Sequence, residues 1–368
     1  MRIIIHGLVF LLVFTSSAFG KETTRKIVDV LERTVEVPAT ADRVICSGPG
    51  CLRLLTYLQA EAMVVAVDDI ESRKRRYEAR PYALANPQFK TMPIFGGYRG
   101  QDNPERIVSL EKQPQVIFKT YASSMGFPPD ELQNKTGMPV VTLDYGNLGK
   151  KRPQLYQSLR TMADVIGKPQ RAEEVIAFME SQITDLKKRT ADIPERERRS
   201  VFIGGVAFRG PHGYQSTEPA YPPFTFVNAI NLARKAVAGK ELQHSDISKE
   251  KILEWNPEIL FLDLSTLQMG DKAGGLYELR TDLSYRTLNA VKEGKVYGLL
   301  PYNWYTKNYG SILANAFYIG KLLYPDRFTD LNPTMKADEI YGFLVGKRVF
   351  NDMDTIFHGM AYKPVPVN

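Results

Sequence analysis

Hydrophobic positions in the first part of the chain form short β-branched runs separated by helical patterns. The apolar runs predict buried strands at residues 43–48, 63–69, 114–120 and 138–144. Residues 51–60 carry apolar side chains at helical spacing, which is typical of a helix that faces a core. Strands that alternate with helices predict βαβ units and a largely parallel sheet. Residues 21–150 are therefore expected to form one α/β lobe.

From residue 153 to residue 190 the pattern becomes helical throughout. Apolar residues recur at three- and four-residue steps: Leu155, Leu159, Met162, Ile166, Val175, Phe178, Met179, Ile183 and Leu186. The segment predicts either one long helix or two helices broken at residues 167–169. At about 1.5 Å per residue, a continuous helix of this length would exceed roughly 50 Å. We therefore expect residues 151–195 to be a rigid helical connection between two lobes.

A second alternation of strands and helices follows this connection. Apolar runs predict strands at 199–208, 258–265 and 294–301, and helical spacing appears at 224–233 and 311–325. This predicts a second α/β lobe over residues 196–330 and a helical extension over residues 331–368. The fold class is thus α/β, with two Rossmann-like lobes of mainly parallel sheet joined by a long rigid helix.

The first 20 residues have the pattern of a secretory signal peptide. Arg2 precedes an apolar run at residues 8–14, and the small residues Ala18 and Gly20 end the segment. The run is too short to span a membrane, and a buried N-terminal helix is the alternative. We expect export with cleavage after Gly20. No cysteine lies near that point, so no lipid anchor is expected.

Charge and cysteine content limit the remaining classes of function. After loss of Arg2, 47 basic residues face 41 acidic ones, a surplus of six that is spread along the chain. A spread surplus does not favour a nucleic-acid partner. The two cysteines, Cys46 and Cys51, are expected either as a disulfide in an oxidising compartment or as two buried free thiols.

One phrase occurs twice, about 145 residues apart. PERIVSLEKQPQVIF (104–118) and KEKILEWNPEILF (249–261) each predict a capped helix, a proline-marked turn and a buried strand. Glu105 and Glu250 occupy matching places in the first helical turn, where the helix dipole favours a carboxylate. Repetition on two lobes predicts a pair of exposed carboxylates that dock on basic residues of a two-fold partner.

The phrases and their surroundings resemble the helix-backbone class, or class III, of periplasmic substrate-binding proteins, which serve ABC importers of ferric siderophores, haem and cobalamin. The likeness covers most of residues 42–325 in order, including DRVICSGPGCLRLLTYLQAEAMVVAVDDIESR, KEKILEWNPEILFLD and LNAVKEGKVYGLLP. It implies a monomeric periplasmic protein that binds an iron-containing chelate and delivers it to an inner-membrane permease. It implies neither enzymatic activity nor a cofactor of its own.

The resemblance also implies roles for the two glutamates. In that family a glutamate on each lobe meets arginines of the permease, and the matching positions are Glu105 and Glu250. Pro257 lies seven positions after Glu250, as in the family phrase, whereas Pro114 lies nine positions after Glu105. Glu250 is therefore the closer match.

Loops at the carboxyl ends of parallel strands face the crevice between two lobes, which is a preferred ligand site. Aromatic rings there suit a flat organic chelate, and arginines suit its carboxylates. The predicted ligand residues are Ser47, Arg73, Tyr98, Arg99, Tyr121, Arg209, His212, Tyr214, Glu218, Tyr221, Tyr302, Trp304 and Tyr305. Siderophore, haem, cobalamin and simpler metal complexes all fit this composition.

Three alternatives use the same residues differently. His212, Glu218 and neighbouring tyrosines could ligate ferric iron directly, since iron(III) favours oxygen donors. An exported hydrolase or metalloenzyme could use His212 with Glu218, or Ser216 as a nucleophile, although no nucleophile-elbow or zinc-protease motif occurs. A sensor could keep the cleft without any transport role.

Overall fold

The computed structural model describes residues 23–121, 126–238 and 242–367. The predicted signal peptide and its cleavage site lie outside these residues. The described chain begins with an antiparallel hairpin of β1 (Thr24–Val28) and β2 (Thr34–Pro38). No helix in the described part of the chain is long and apolar enough to cross a membrane.

The first lobe is built on a six-stranded sheet in the order β6-β5-β4-β3-β7-β8, parallel except for β6. Its strands are β3 (Val44–Ser47), β4 (Val64–Asp68), β5 (Ile94–Gly97), β6 (Gln101–Asp102), β7 (Val116–Thr120) and β8 (Val140–Leu143). Its helices are α1 (Cys51–Tyr57), α2 (Asp69–Ser72), α3 (Pro81–Ala85), α4 (Pro104–Val108) and α5 (Pro129–Thr136). The predicted α/β lobe with a largely parallel sheet is confirmed.

Two helices, not one, follow the first lobe: α6 (Arg152–Val165) and α7 (Pro169–Thr190). They fold back on each other, because Arg152 near the start of α6 pairs with Glu180 in α7 at 3.0 Å. The turn contains Gly167 at φ 72°, a left-handed conformation that ends a helix. Of the two sequence-based alternatives, two helices broken at residues 167–169 are confirmed; the single helix of more than roughly 50 Å is not formed, since α7 alone spans about 33 Å.

The second lobe contains a four-stranded, all-parallel sheet in the order β11-β9-β13-β14, and a small antiparallel pair, β10 with β12. The strands are β9 (Ser200–Gly204), β10 (Ser216–Thr217), β11 (Ile230–Asn231), β12 (Ser245–Asp246), β13 (Ile259–Asp263) and β14 (Val296–Leu299). The helices are α8 (Pro222–Phe226), α9 (Leu232–Ala236), α10 (Lys249–Trp255), α11 (Gly274–Thr281), α12 (Asn289–Lys292) and α13 (Tyr309–Leu323). The single helix predicted at 224–233 is wrong, because the edge strand β11 interrupts it.

The C-terminal extension forms α14 (Pro333–Val345) and α15 (Phe350–Ile356), and the chain then returns along β14. Backbone bridges join Tyr297 to Pro364 and Gly298 to Ala361. A Cβ at position 298 would lie 2.2 Å from the Met360 carbonyl oxygen, so the close approach requires glycine. The extension is thereby attached to the edge of the second sheet.

Lys119 is a buried charge within the apolar strand β7, and it fixes the edge of the first sheet. Its Nζ forms an ion pair with Asp102 and donates to Ser47 Oγ at 3.1 Å and to the Gly100 carbonyl at 3.2 Å. These three partners use all three protons of the ammonium group. One side chain of β7 therefore holds the end of the neighbouring strand β3 together with the turn between β5 and β6 and the edge strand β6.

One strand in each lobe ends in a buried aspartate. Asp68 ends β4 and accepts from the Ile70 N–H at 3.2 Å, and Asp263 ends β13 and accepts from the Ser265 N–H at 2.9 Å. Burial is the main cause that raises the pKa of each carboxyl to about 7. Both groups cap the turn that leads into the loop beyond the strand.

Replacement of Lys119 tests whether this ion pair supports the first lobe. We expect Lys119→Met to lower the free energy of unfolding by about 3–5 kcal/mol, because Asp102 would keep a buried charge without a partner. Urea unfolding measures the change. Lys135→Met is the control, since Lys135 pairs with Glu131 at the surface. Equal effects of the two substitutions would contradict the role of Lys119.

The raised pKa of Asp263 predicts a pH-dependent stability. Its folded-state pKa, about 7, lies above the ordinary value of 3.8, so ionisation destabilises the folded state. The penalty grows as pH rises from about 4 to 7 and then stays constant. Relative to the wild type, the free energy of unfolding of Asp263→Asn should increase by up to about 1.4 kcal/mol per pH unit in this range. Urea unfolding at pH 5 to 8 measures the difference. The exposed Asp326→Asn is the control substitution, and a difference from wild type that does not change with pH in Asp263→Asn would contradict the prediction.

Candidate functional site

A buried arginine joins the two lobes. Arg53 in α1 is 1% exposed and donates to the backbone carbonyls of Trp304 and Tyr305, each at 3.1 Å, and of Lys307 at 2.9 Å. The hydroxyl of Tyr145, also in the first lobe, donates to the Lys307 carbonyl at 2.6 Å. These acceptors belong to residues 300–308, which follow β14 and are called the β14 loop below. The loop comes from the second lobe but is bound to the first.

Tyr305 adds further hydrogen bonds between the two lobes, at the cleft. Its hydroxyl donates to Asp68 Oδ2 at 2.5 Å and accepts from the Arg99 backbone N–H at 3.0 Å. Both partners lie at carboxyl ends of first-lobe strands, where a ligand crevice is expected. Tyr305 therefore links the lobes at the mouth of the predicted site.

Two arginines and two tyrosines form a cluster on the first-lobe side. The Arg73 and Arg99 guanidinium carbons lie 4.2 and 5.2 Å from the Tyr98 ring centroid, and the Tyr305 ring centroid is 6.5 Å away. Asp69 holds this arrangement, because it pairs with Arg73 at 2.6 Å and accepts from the Tyr98 N–H at 2.8 Å. Both arginines are exposed, so the cluster presents positive charge beside aromatic faces.

A loop of the second lobe, residues 205–215, follows β9 and is called the β9 loop below. Arg209 is exposed, and its guanidinium carbon lies 5.5 Å from the Phe208 ring centroid. Asn303 in the β14 loop donates to the Ala207 carbonyl at 2.6 Å and so attaches the two loops to each other. In the first lobe, the predicted ligand residue Tyr121 directly follows β7 and is half-buried.

Two histidines lie together in the same second-lobe region. The ring centroids of His212 and His244 are 5.4 Å apart, and the His244 ring stacks on Phe208 at 4.5 Å. His212 Nε2 lies 2.8 Å from the Phe208 carbonyl oxygen, and His244 Nε2 lies 3.1 Å from Ser216 Oγ. Burial is the main cause that lowers the pKa of His244, which favours the neutral imidazole.

Other predicted ligand residues are buried, which corrects their expected place on the cleft surface. Ser47 is bound to Lys119, and Glu218 is bound to the hydroxyl of Tyr302 and to Lys307. Polar partners inside the protein hold Ser47, Glu218 and Tyr302, and apolar packing encloses the remaining aromatic residues. The buried predicted residues are Ser47, Tyr214, Glu218, Tyr221, Tyr302 and Trp304.

Cys46 and Cys51 are free thiols in this structure, and both are buried. Of the two sequence-based alternatives, the structure therefore has the free thiols and not the disulfide. Burial raises the pKa of the Cys46 thiol, and the neighbouring Cys51 raises it further. Such a protonated thiol is a poor nucleophile and a poor metal ligand.

The repeated phrase forms the same local structure in both lobes. Asn103 caps α4 by accepting from a backbone N–H at 2.8 Å, and Ser248 caps α10 in the same way at 3.3 Å. Glu105 and Glu250 both lie exposed in the first helical turn. The matching positions predicted from the sequence are confirmed, and the docking role stays a prediction.

The sequence predictions missed three residues that shape the site: Arg53, Lys119 and His244. A charge within an apolar strand or an all-round apolar helix is a signal of burial, and it applies to Lys119 and Arg53. His244 carries no comparable signal, since its position beside His212 depends on the pairing of β12 with β10.

Comparison with known proteins places this architecture among binding proteins. The family model described as "periplasmic binding protein" matches residues 44–302. The chain is 23% identical to the molybdate-binding protein MolA of Haemophilus influenzae, over 92% of this chain and 95% of that protein. It is 25% identical to an iron-uptake system-binding protein of Bacillus subtilis, over 77% of this chain and 82% of that protein.

A solved structure shows the same fold. The periplasmic solute binding protein of Veillonella parvula superposes with a TM-score of 0.69 at 17% identity, over 94% of this chain and all of that one. The relatives are substrate-binding proteins, not enzymes, and they carry a ligand rather than a cofactor. The chain belongs to the periplasmic binding protein family, the substrate-binding proteins of ABC importers.

Proposed function

We propose that this protein captures a small anionic metal complex, specifically an iron chelate, in the cleft between its lobes and delivers it to an inner-membrane permease. The observation that carries the proposal is the cluster of Arg73, Tyr98, Arg99 and Tyr305, to which the second lobe adds the exposed Arg209 in its β9 loop. Guanidinium groups bind carboxylates strongly, and aromatic faces suit a flat chelator. The iron-uptake relative supports the same class of cargo.

The contacts between the lobes support binding with little closure. Arg53 and Tyr305 already bond the β14 loop to the first lobe. A site that is assembled before the ligand arrives loses less conformational freedom on binding. We infer a monomer that accepts its ligand in a preformed cleft.

A free oxyanion is the second candidate ligand. The exposed arginines suit an oxyanion as well as a chelate, and one relative that covers most of the chain is named a molybdate-binding protein. An oxyanion would need the guanidinium groups but not the aromatic faces. Binding measurements with both kinds of ligand distinguish the two candidates.

We also propose export to the periplasm with cleavage after Gly20. The basic, apolar and small-residue pattern of residues 1–20 supports it. The periplasmic relatives support the same compartment. The mature protein is then residues 21–368.

Calorimetric titration of residues 21–368 tests the ligand. The panel contains ferric hydroxamate, catecholate and citrate complexes, haemin, cobalamin, free ferric iron and sodium molybdate. We expect submicromolar binding of a ferric chelate, weakened at least tenfold by Arg99→Ala because a charge-assisted hydrogen bond would be lost.

Arg196→Ala is the matched control, since Arg196 is exposed and pairs only with its neighbour Glu197 among the described residues. It should leave the affinity unchanged. Binding of molybdate alone would favour the second candidate. Binding of no panel member, or equal effects of the two arginine substitutions, would contradict the proposed ligand site.

The docking role of the two glutamates has a separate test. We expect the double substitution Glu105→Ala with Glu250→Ala to abolish transport in cells while leaving ligand affinity intact, because exposed carboxylates would pair with basic residues of the permease. Uptake of the labelled ligand and calorimetry measure the two effects.

Glu131→Ala with Glu254→Ala is the control for the docking test. Both residues are exposed, one in each lobe, and Glu254 lies in the same helix as Glu250. This control should transport normally. Normal transport by the double variant of Glu105 and Glu250 would refute the docking role.

A further inference from the structure

Hydrogen bonds fix the protonation of both imidazoles, His212 in the loop after β9 and His244 next to β12. The Phe208 carbonyl oxygen can only accept, so His212 donates from Nε2. The single hydroxyl proton of Ser216 is donated to the Val206 carbonyl at 2.7 Å. Ser216 Oγ therefore accepts from His244 Nε2, 3.1 Å away. In neutral imidazoles, both Nδ1 atoms are then unprotonated.

Neither Nδ1 atom has a hydrogen-bond or ion-pair partner among the residues that the structure describes. Asp246 also approaches His244 on the Nε2 side, at 3.8 Å, which favours the proton there. The two rings are half-buried and adjacent, with centroids 5.4 Å apart. Two neighbouring Nδ1 lone pairs are thus left without a donor from the described residues.

Anchoring of one ring nitrogen while the other keeps a lone pair is the arrangement found in metal-binding histidines. Such histidines usually donate their remaining N–H to a carbonyl or another acceptor, which fixes the ring and its tautomer. Metal–nitrogen bonds of about 2.0–2.1 Å would place two imidazole centroids on the order of 5 Å apart. The observed spacing fits a shared ion.

We propose that His212 and His244 form a two-imidazole site for a divalent first-row cation of the Ni²⁺, Cu²⁺ and Zn²⁺ class. Imidazole nitrogen suits these borderline ions. No group of three histidine, cysteine, aspartate or glutamate side chains in the described ranges is arranged to hold a metal. Water or the cargo itself supplies the other ligands, and the inference rests on the proposed function only in assigning the β9 loop to the cleft.

Titration with nickel chloride tests this site. Residues 21–368 are prepared without an affinity tag, and isothermal calorimetry measures Ni²⁺ binding. We expect one ion per chain in the wild type and at least a tenfold weaker affinity in His212→Gln and in His244→Gln. Glutamine offers an amide N–H in place of Nε2–H but no imidazole lone pair, so the loop keeps its hydrogen bond.

His358→Gln is the matched control, because His358 is exposed and bonds to the Tyr77 hydroxyl elsewhere in the chain. It should bind Ni²⁺ like the wild type. Circular dichroism and thermal unfolding establish that the glutamine variants are folded. Absence of wild-type Ni²⁺ binding, or unchanged binding when both His212 and His244 are replaced, would overturn the proposal.

The ligand panel on the double variant separates this inference from the proposed function. Loss of Ni²⁺ binding with unchanged chelate affinity supports the two-imidazole site and leaves the chelate site intact. Loss of both is expected only if the bound complex uses the imidazoles as ligands, and it also supports the site. Unchanged Ni²⁺ binding overturns the site whatever the panel shows.

Discussion

The relation between the two lobes depends on one buried guanidinium group. Arg53 has no carboxylate partner among the described residues. Its two Nη atoms donate to three carbonyls of the opposite lobe and to the Tyr145 hydroxyl, while Nε has no partner among the described residues. A buried cation is expensive unless its protons are accepted, so the β14 loop has to stay against α1. That constraint in turn places Tyr305 over Asp68 and beside Tyr98. The aromatic and basic surface of the cleft is thus a consequence of satisfying a charge in the interior.

In each lobe, a buried polar contact supports the backbone that lines the cleft. Lys119 connects β7 to the end of β3 and to β6 on one side, and Glu218 pairs with Lys307 of the β14 loop on the other. Both contacts are largely buried, and they hold the backbone on which exposed side chains stand. Removal of an exposed arginine of the cleft would therefore change ligand recognition directly. Removal of a buried supporting charge would instead change the loop that presents the exposed side chains.

Periodicity predicted the strands and the two lobes because hydrophobic patterns report burial directly. The rule that the carboxyl ends of parallel strands face one crevice predicted Arg73, Tyr98, Arg99 and Tyr305 as residues of the same site. Sequence reasoning of this kind has limits. It failed for Tyr214 and Tyr221, because aromatic residues in a Gly- and Pro-rich loop can fold into the core as readily as face solvent. It could not find His244, whose position beside His212 depends on the pairing of two-residue strands far apart in the sequence.

The return of the chain along β14 has a consequence for association between molecules. β14 is the last strand of the second sheet, and a bare edge strand offers unpaired backbone groups to any other extended chain. The Gly298 and Val296 carbonyls accept from Tyr362 and Val365, and the Gly298 N–H donates to Lys363. The molecule therefore occupies this edge with its own C-terminal residues. The self-paired edge thereby protects the second sheet against edge-to-edge aggregation between molecules.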